Sequence, residues 1–180
     1  VTATKLPINS GATATQMAQT IFGEGTTVVS ASYTGDSRAS GIYTDGDTVS
    51  PGVTPSDTGV ILSTGRAGDF TNSPSNGPSW AWWLNNDANQ NPNTTTNTSG
   101  VDNDPLFDAA AGAPTYDAAY IDVDFIPTGD LLTIEFVYSS EEYPEFTTSE
   151  FQDLVGVWIN GSLVPINVGD GNIAPNNIND

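Results

Sequence analysis

Ile121-Asp122-Val123-Asp124-Phe125 alternates apolar and acidic side chains without a break. Successive side chains of a strand point to opposite faces, so the stretch predicts a half-buried β-strand with its three apolar residues on one face and both aspartates on the other. Working outward, Leu131 to Tyr138 also alternates, with Leu132, Ile134, Phe136 and Tyr138 on one side. Pro127-Thr128-Gly129-Asp130 supplies a turn between the two, which predicts that they are antiparallel neighbours. Thr27 to Tyr33 and Gly59 to Ser63 read as further strands, the second turned out by Thr64-Gly65. The clearest hairpin signal is Leu154 to Ile159, Asn160-Gly161, then Ser162 to Asn167, because Asn-Gly accepts the positive φ angles of a type I′ turn.

Helical signals are short. Ala14, Met17, Ala18 and Ile21 form an amphipathic stripe within Thr13 to Phe22, ended by Gly23. Asp104-Pro105 before Leu106 to Ala111 and Gly112 reads as a helix with an aspartate cap, a proline in its first turn and a glycine stop. Gly35 to Thr58 reads as loop with few core residues, and a second polar region runs from Thr64-Gly65 to Asn103. The expected fold is therefore mainly β, an antiparallel sandwich or jelly-roll-like domain over 1–180 with one or two short helices and long polar loops. The tail, 169–180, reads as loop without a final strand, and there is no internal repeat.

Charge narrows the functions. Twenty-two acidic residues face three basic ones, with no histidine and no cysteine, for a formal charge of −19. Nucleic acid and anionic membrane surfaces are poor partners, since both require clustered Lys and Arg. Thiol nucleophiles, imidazole-based triads and the usual transition-metal ligands are missing from the chain. Oxygen chemistry remains, and it suits Ca²⁺. The longest apolar run, Leu154 to Ile159, is strand length and too short to span a bilayer. A first residue Val1 is consistent with a mature exported product.

Four segments are candidate sites. Ser139-Ser140-Glu141-Glu142-Tyr143-Pro144-Glu145-Phe146 concentrates carboxylates that raise one another's pKa unless a cation or a donor neutralises them, which points to Ca²⁺; a solvated acidic loop is the plainer alternative. Glu141, Glu142 and Glu145 are also the residues a glycoside hydrolase would use as acid and base. Thr44-Asp45-Gly46-Asp47 resembles the start of a calcium loop but lacks the rest of the helix-loop-helix pattern. Asp102-Asn103-Asp104 is a further oxygen-rich triplet, with Asp104 also a helix cap. Trp80, Trp82 and Trp83 cluster in a polar stretch, either as a contact patch for glycans or proteins or as a strand packing its own core. Asn93, Asn97 and Asn160 begin glycosylation-type triplets, which mark surface.

Taken together, Gly59 to Gly65, Asp102-Asn103-Asp104-Pro105-Leu106, the Asp117 to Phe125 strand, and Phe136 to Tyr143 with Phe151-Gln152-Asp153 resemble the bacterial choice-of-anchor L domain in order and spacing. The resemblance runs from Met17 to Val164, and its specific part is Ser140-Glu141-Glu142-Tyr143. It implies an exported, surface-attached or secreted β-rich module, joined in different bacteria to different anchoring or secretion tails, with no established catalytic activity. Gln152-Asp153 stands where the family usually has Asn-Asp, which keeps the carboxylate. The family domain continues into strands beyond Asp170-Gly171, and the tryptophan cluster is an addition to the pattern.

The expected function is thus a non-enzymatic secreted or cell-surface module for adhesion or extracellular structure. Ca²⁺ is its expected ion, drawn from Asp45, Asp47, Asp102, Asp104, Glu141, Glu142, Glu145 and Asp153. Partners are other surface or matrix proteins or glycans, met through Trp80, Trp82 and Trp83. Alternatives are a filament or matrix subunit that self-associates through sheet edges and the tryptophan loop, and a glycan-binding or glycan-hydrolysing protein.

Overall fold

The structure, a computed structural model, describes residues 6–69, 98–139 and 154–166. These fall into two compact units, one within 1–101 and 117–137, the other within 102–116 and 138–180. Among the described residues all strand pairings are antiparallel and the helices are short, so the fold is mainly β as expected.

In the first unit, β1 (Ile8–Asn9) leads to α1 (Ala14–Phe22). Thr13 and Gln16 make a reciprocal capping box: Gln16 N–H donates to Thr13 Oγ1 at 3.2 Å, and Thr13 N–H donates to Gln16 Oε1 at 2.9 Å. Of the predicted stripe, Met17 and Ala18 are buried while Ile21 stays exposed. Gly23, at φ +61°, ends the helix as expected, its N–H bonded to the Gln19 carbonyl.

β2 (Thr26–Thr34) then pairs with β5 (Tyr120–Pro127) in a two-stranded ribbon. The expected partner of β5 was the Leu131 to Tyr138 segment, and that pairing is corrected here. Residues 131–139 carry no strand, and among the described residues β5 pairs with β2 alone. The reason lies in how the two apolar faces match. Val28 stands opposite Phe125, Ala31 opposite Val123 and Tyr33 opposite Ile121. A register shift between Val28 and Ser30 makes this possible by leaving Val29 as an extra residue, 63% exposed. Without that bulge, strict alternation would put Val28 on the same face as Ser30 and Ser32. The apolar face of the ribbon meets α1 where the rings of Phe22 and Phe125 stack at 4.5 Å.

The second sheet holds β1, β3 (Ser40–Tyr43) and β4 (Gly59–Leu62), in the order β1-β3-β4. β3, and the short helix α2 (Gly46–Val49) after it, lie inside the stretch read as loop, a second correction. Far from lacking core residues, this stretch buries Ala39, Ser40, Gly41 and Tyr43. Its residues are small because β1 crosses close by: a Cβ on Gly41 would lie 2.8 Å from Ile8 Cγ2 and 2.9 Å from the Asn9 carbonyl. α1 touches both sheets, and among the described residues Leu6, Met17, Ala18, Ala39, Tyr43, Ala67 and Ala118 are the buried apolar residues of the unit.

The second unit contains α3 (Pro105–Ala111) and the hairpin β6 (Trp158–Ile159) and β7 (Ser162–Leu163). α3 has the three predicted features: Asp104 Oδ1 accepts from Leu106 N–H at 2.9 Å, Pro105 opens the helix, and Gly112 closes it at φ +68°. Asn160 and Gly161 take φ values of 51° and 77°, the type I′ turn that the sequence predicts. The strands are shorter than expected, extended by one bond from Val164 N–H to the Val157 carbonyl. Phe107 and Trp158 meet edge to face at 5.0 Å. Among the described residues, no helix is long and apolar enough to cross a membrane.

Candidate functional site

Just past the end of β2 lies Asp36, 2% exposed. A buried carboxylate needs donors, because desolvation otherwise favours its neutral form. It has five. Oδ1 accepts from Arg38 N–H at 2.8 Å and Arg38 Nε at 2.9 Å; Oδ2 accepts from Arg38 Nη2 at 2.7 Å and from Ser99 N–H and Oγ, both at 2.9 Å. Its carbonyl also accepts from Tyr33 Oη at 2.8 Å and from Ala39 N–H at 2.9 Å. The Arg38 guanidinium, followed by the Ser99 and Arg38 backbone amides, holds the Asp36 carboxyl well below the usual carboxylate range. The same pairing raises Arg38, and burial pushes the Tyr33 hydroxyl up.

Ser99 belongs to a short segment fixed on its other side by Asp117. Thr98 donates to Asp117 Oδ1 through its N–H at 3.0 Å and its hydroxyl at 2.7 Å. Val101 and Ala118 then exchange backbone bonds, so 98–101 is tied to the start of β5. Asp36 and Asp117 together clasp one segment between the end of β2 and the start of β5. Saturated by five donors, Asp36 is an architectural anion rather than a proton acceptor at neutral pH.

The predicted calcium residues are placed differently. Asp45 sits in the left-handed region at φ +59°, and Asp47 follows inside α2; both are exposed. The beginning of that helix is held by a residue the sequence reading left out: Asp57 Oδ1 accepts from Asp47 N–H at 3.2 Å, and the Asp57 carbonyl accepts from Gly46 N–H at 2.9 Å. Asp102 is exposed, whereas Asp104 is buried with its carboxylate on the helix cap. Asp108, close by in sequence, accepts from Thr115 N–H and Oγ1 at 2.7 and 2.8 Å. Among the described residues, no group of three acidic side chains is gathered closely enough to hold a metal ion. Glu141, Glu142, Glu145, Asp153, Trp80, Trp82, Trp83, Asn93, Asn97 and the 169–180 tail lie outside the described residues.

Asp36, Arg38, Ser99, Thr98 and Asp117 escaped the sequence reading. One signal was present, since Arg38 is one of only three basic residues and stands two positions after an aspartate. An Asx-type turn at that spacing is a local motif. Its partner, Ser99, is 63 residues away in the sequence.

These observations define a strongly acidic, antiparallel β module whose loops are fastened by aspartates bound to backbone amides. A sequence model of the family described as Choice-of-anchor L domain matches residues 6–179, nearly the whole chain. The chain belongs to that family, which implies an exported or surface protein. No match is found among curated proteins or among solved structures.

Proposed function

We propose that the chain is a non-enzymatic module for adhesion or extracellular structure, which presents its polar loops to surface proteins, matrix components or glycans. The observation that supports this reading most directly is the use made of its carboxylates. Asp36, Asp57, Asp104, Asp108 and Asp117 each accept a backbone N–H and fix a turn or a helix start. That is the work of a scaffold that holds loops in place, rather than of acids tuned for proton transfer.

Ca²⁺ binding is part of the proposal. Asp104 is engaged as a cap, and Asp45 and Asp47 are not gathered with a third carboxylate into a group that could hold a metal ion among the described residues, the nearby Asp57 carboxylate being bonded to the Asp47 N–H. The acidic segment of Glu141, Glu142 and Glu145, with Asp153, is therefore the favoured ligand source, by its charge density in a chain of −19. Thermal unfolding of the dilute chain with Ca²⁺ and then with excess EGTA, with size followed by light scattering, tests this. A calcium-dependent rise in Tm at constant size is expected, since an ion that binds only the folded state stabilises it. Identical Tm values would remove the ion from the proposal.

A filament or matrix subunit is the second reading, and one observation favours it. Leu131, Ile134, Phe136 and Val137 are exposed, at 86, 41, 45 and 57%. Apolar side chains on that scale suit contact with another chain. Large assemblies in the same scattering experiment, with and without Ca²⁺, would promote this reading over the first. Glycan contact through Trp80, Trp82 and Trp83 is tested by a glycan screen with Trp82→Ala and Glu142→Gln. Release of product sugars lost in Glu142→Gln would overturn the non-enzymatic reading.

A further inference from the structure

β5 has two edges, and among the described residues β2 pairs with one of them while the other has no strand beside it. Its inward residues Ile121, Val123 and Phe125 are only half-buried. The chain that follows, within the same compact unit, has the pattern to cover them. Thr128 is fixed at the end of the ribbon by its hydroxyl on the Gly25 carbonyl. After Gly129-Asp130, residues 131–137 run exposed and without strand pairing, alternating Leu132, Ile134 and Phe136 with Thr133 and Glu135. A two-residue loop would place Phe125, Val123 and Ile121 opposite Leu132, Ile134 and Phe136. A four-residue loop would place Phe125 and Val123 opposite Ile134 and Phe136. The three-residue loop between them sets Phe125 against Thr133 and Val123 against Glu135, and the alternation excludes it.

Both in-phase registers share one defect on the outward face. Glu135 falls opposite Asp122 in the first and opposite Asp124 in the second, with the other aspartate on the diagonal. Ser30 and Ser32 of β2 stand beyond these aspartates, and neither strand carries a lysine or arginine to offset them. Like charges directly opposite each other destabilise a strand pair, whereas an open edge gains hydrogen bonds from a partner. We propose that residues 131–137 are a strap, held off the free edge of β5 by the charge of Glu135 against Asp122 and Asp124, which closes as a third strand when that charge is screened or removed. Closure withdraws Leu132, Ile134 and Phe136, the side chains that the open form offers to another chain. The occupant of the edge is the chain's own segment rather than a second copy, because a short loop delivers it at an effective concentration that no separate chain of charge −19 matches. The device stands apart from Ca²⁺ ligation and from the adhesion reading.

The chain has no cysteine, so disulfide trapping in the full chain tests this directly. Ile126→Cys is combined with Leu131→Cys, its opposite through the two-residue loop, or with Thr133→Cys, its opposite through the four-residue loop. Ile126→Cys with Leu132→Cys, whose side chains point to different faces in both registers, is the control, and all three pairs leave the acids in place. Under a mild oxidant at neutral pH and low salt, one of the two test pairs should cross-link faster than the control. Its rate follows the closed population, so it should rise about two- to fivefold in Glu135→Gln, the range that one like-charge pair provides, and further in Glu135→Lys, which turns repulsion into attraction. Added salt should speed the reaction while Glu135 is in place and leave Glu135→Gln nearly unchanged. Circular dichroism of each variant checks that it folds. Rates indifferent to the Glu135 substitutions, or neither test pair exceeding the control, overturn the proposal. Cross-links between chains, with growth in light scattering, also overturn it by giving the edge to a second copy.

Discussion

Asp36 and Asp124 belong to one ribbon and live in opposite conditions. Asp36, just beyond β2, is 2% exposed and accepts five hydrogen bonds. Asp124, midway along β5, is exposed and accepts a side-chain hydrogen bond from Ser30 Oγ at 2.7 Å. With so few cations available, a carboxylate in this chain is stabilised mainly by where it meets amide and hydroxyl donors. At the ends of strands, backbone N–H groups are free of the ladder and can turn to a side chain. In the middle of a strand they are committed to pairing, so Asp122 and Asp124 face water and add mostly to the repulsion.

The comparison is sharpened most by Asp36→Asn. The amide keeps one acceptor but turns its NH₂ towards Arg38 Nη2 or Ser99 N–H, placing donor against donor. A loss of about 3 kcal/mol is expected in denaturant unfolding, as for other buried ionic groups deprived of a partner, moderated because Arg38 is partly exposed. The cost has a pH signature. Arg38 and the amides hold Asp36 below its unfolded value of about 3.9, so the folded state binds fewer protons in that range. The stabilisation is therefore complete above that value and is lost as the pH falls through the folded one. The gap between the unsubstituted chain and Asp36→Asn should be flat above about pH 5 and narrow progressively below about pH 4. A gap independent of pH down to the acid transition would mean that shape, rather than charge, is what Asp36 supplies.

Asp117→Ala comes next, at about 2 kcal/mol, from two lost bonds to Thr98 and an alanine forced to φ +55°. Because Asp36 and Asp117 grip adjacent residues, the double variant should cost less than the sum of the two. Additivity within about 0.3 kcal/mol would show that the clasp is not one unit. Asp104→Ala, a capping change in the other unit, should cost about 1 kcal/mol and leave the response to Asp36→Asn unaltered.

How much of this was legible in the sequence follows from how local each signal is. α1, α3, the Asn160-Gly161 turn and the alternation of β5 are written within a few residues each, and all four are observed. The partner of β5 is not, because a turn at 127–130 favours the near segment while the matching apolar face lies some ninety positions earlier and is in phase only through the Val29 bulge. β3 is hidden for a different reason. Ser40 and Gly41 carry little apolar surface, and the feature that makes them core is the close approach of β1, a tertiary fact. Asp36 combines both difficulties: its turn with Arg38 is local, but its burial and its Ser99 partner are not. Acid clusters drew attention to Asp45 and Asp47, where the carboxylate that holds the helix is Asp57, ten residues on.

The smallest effect is the most discriminating. Asp124→Asn keeps an oxygen for Ser30 Oγ and removes one charge from a face that also carries Asp122 two positions away. Stability should change by less than about 0.5 kcal/mol, towards greater stability at low salt and fading as salt is added, because exposed like charges are screened. A loss above about 1 kcal/mol would break the contrast with Asp36, since an exposed carboxylate carries such a cost only when something holds its charge. Repeating the measurement with Ca²⁺ and with EGTA would then identify the holder. A loss present only with Ca²⁺ would place an ion on the β2–β5 face, and a loss in both conditions would assign the role to the Ser30 bond itself.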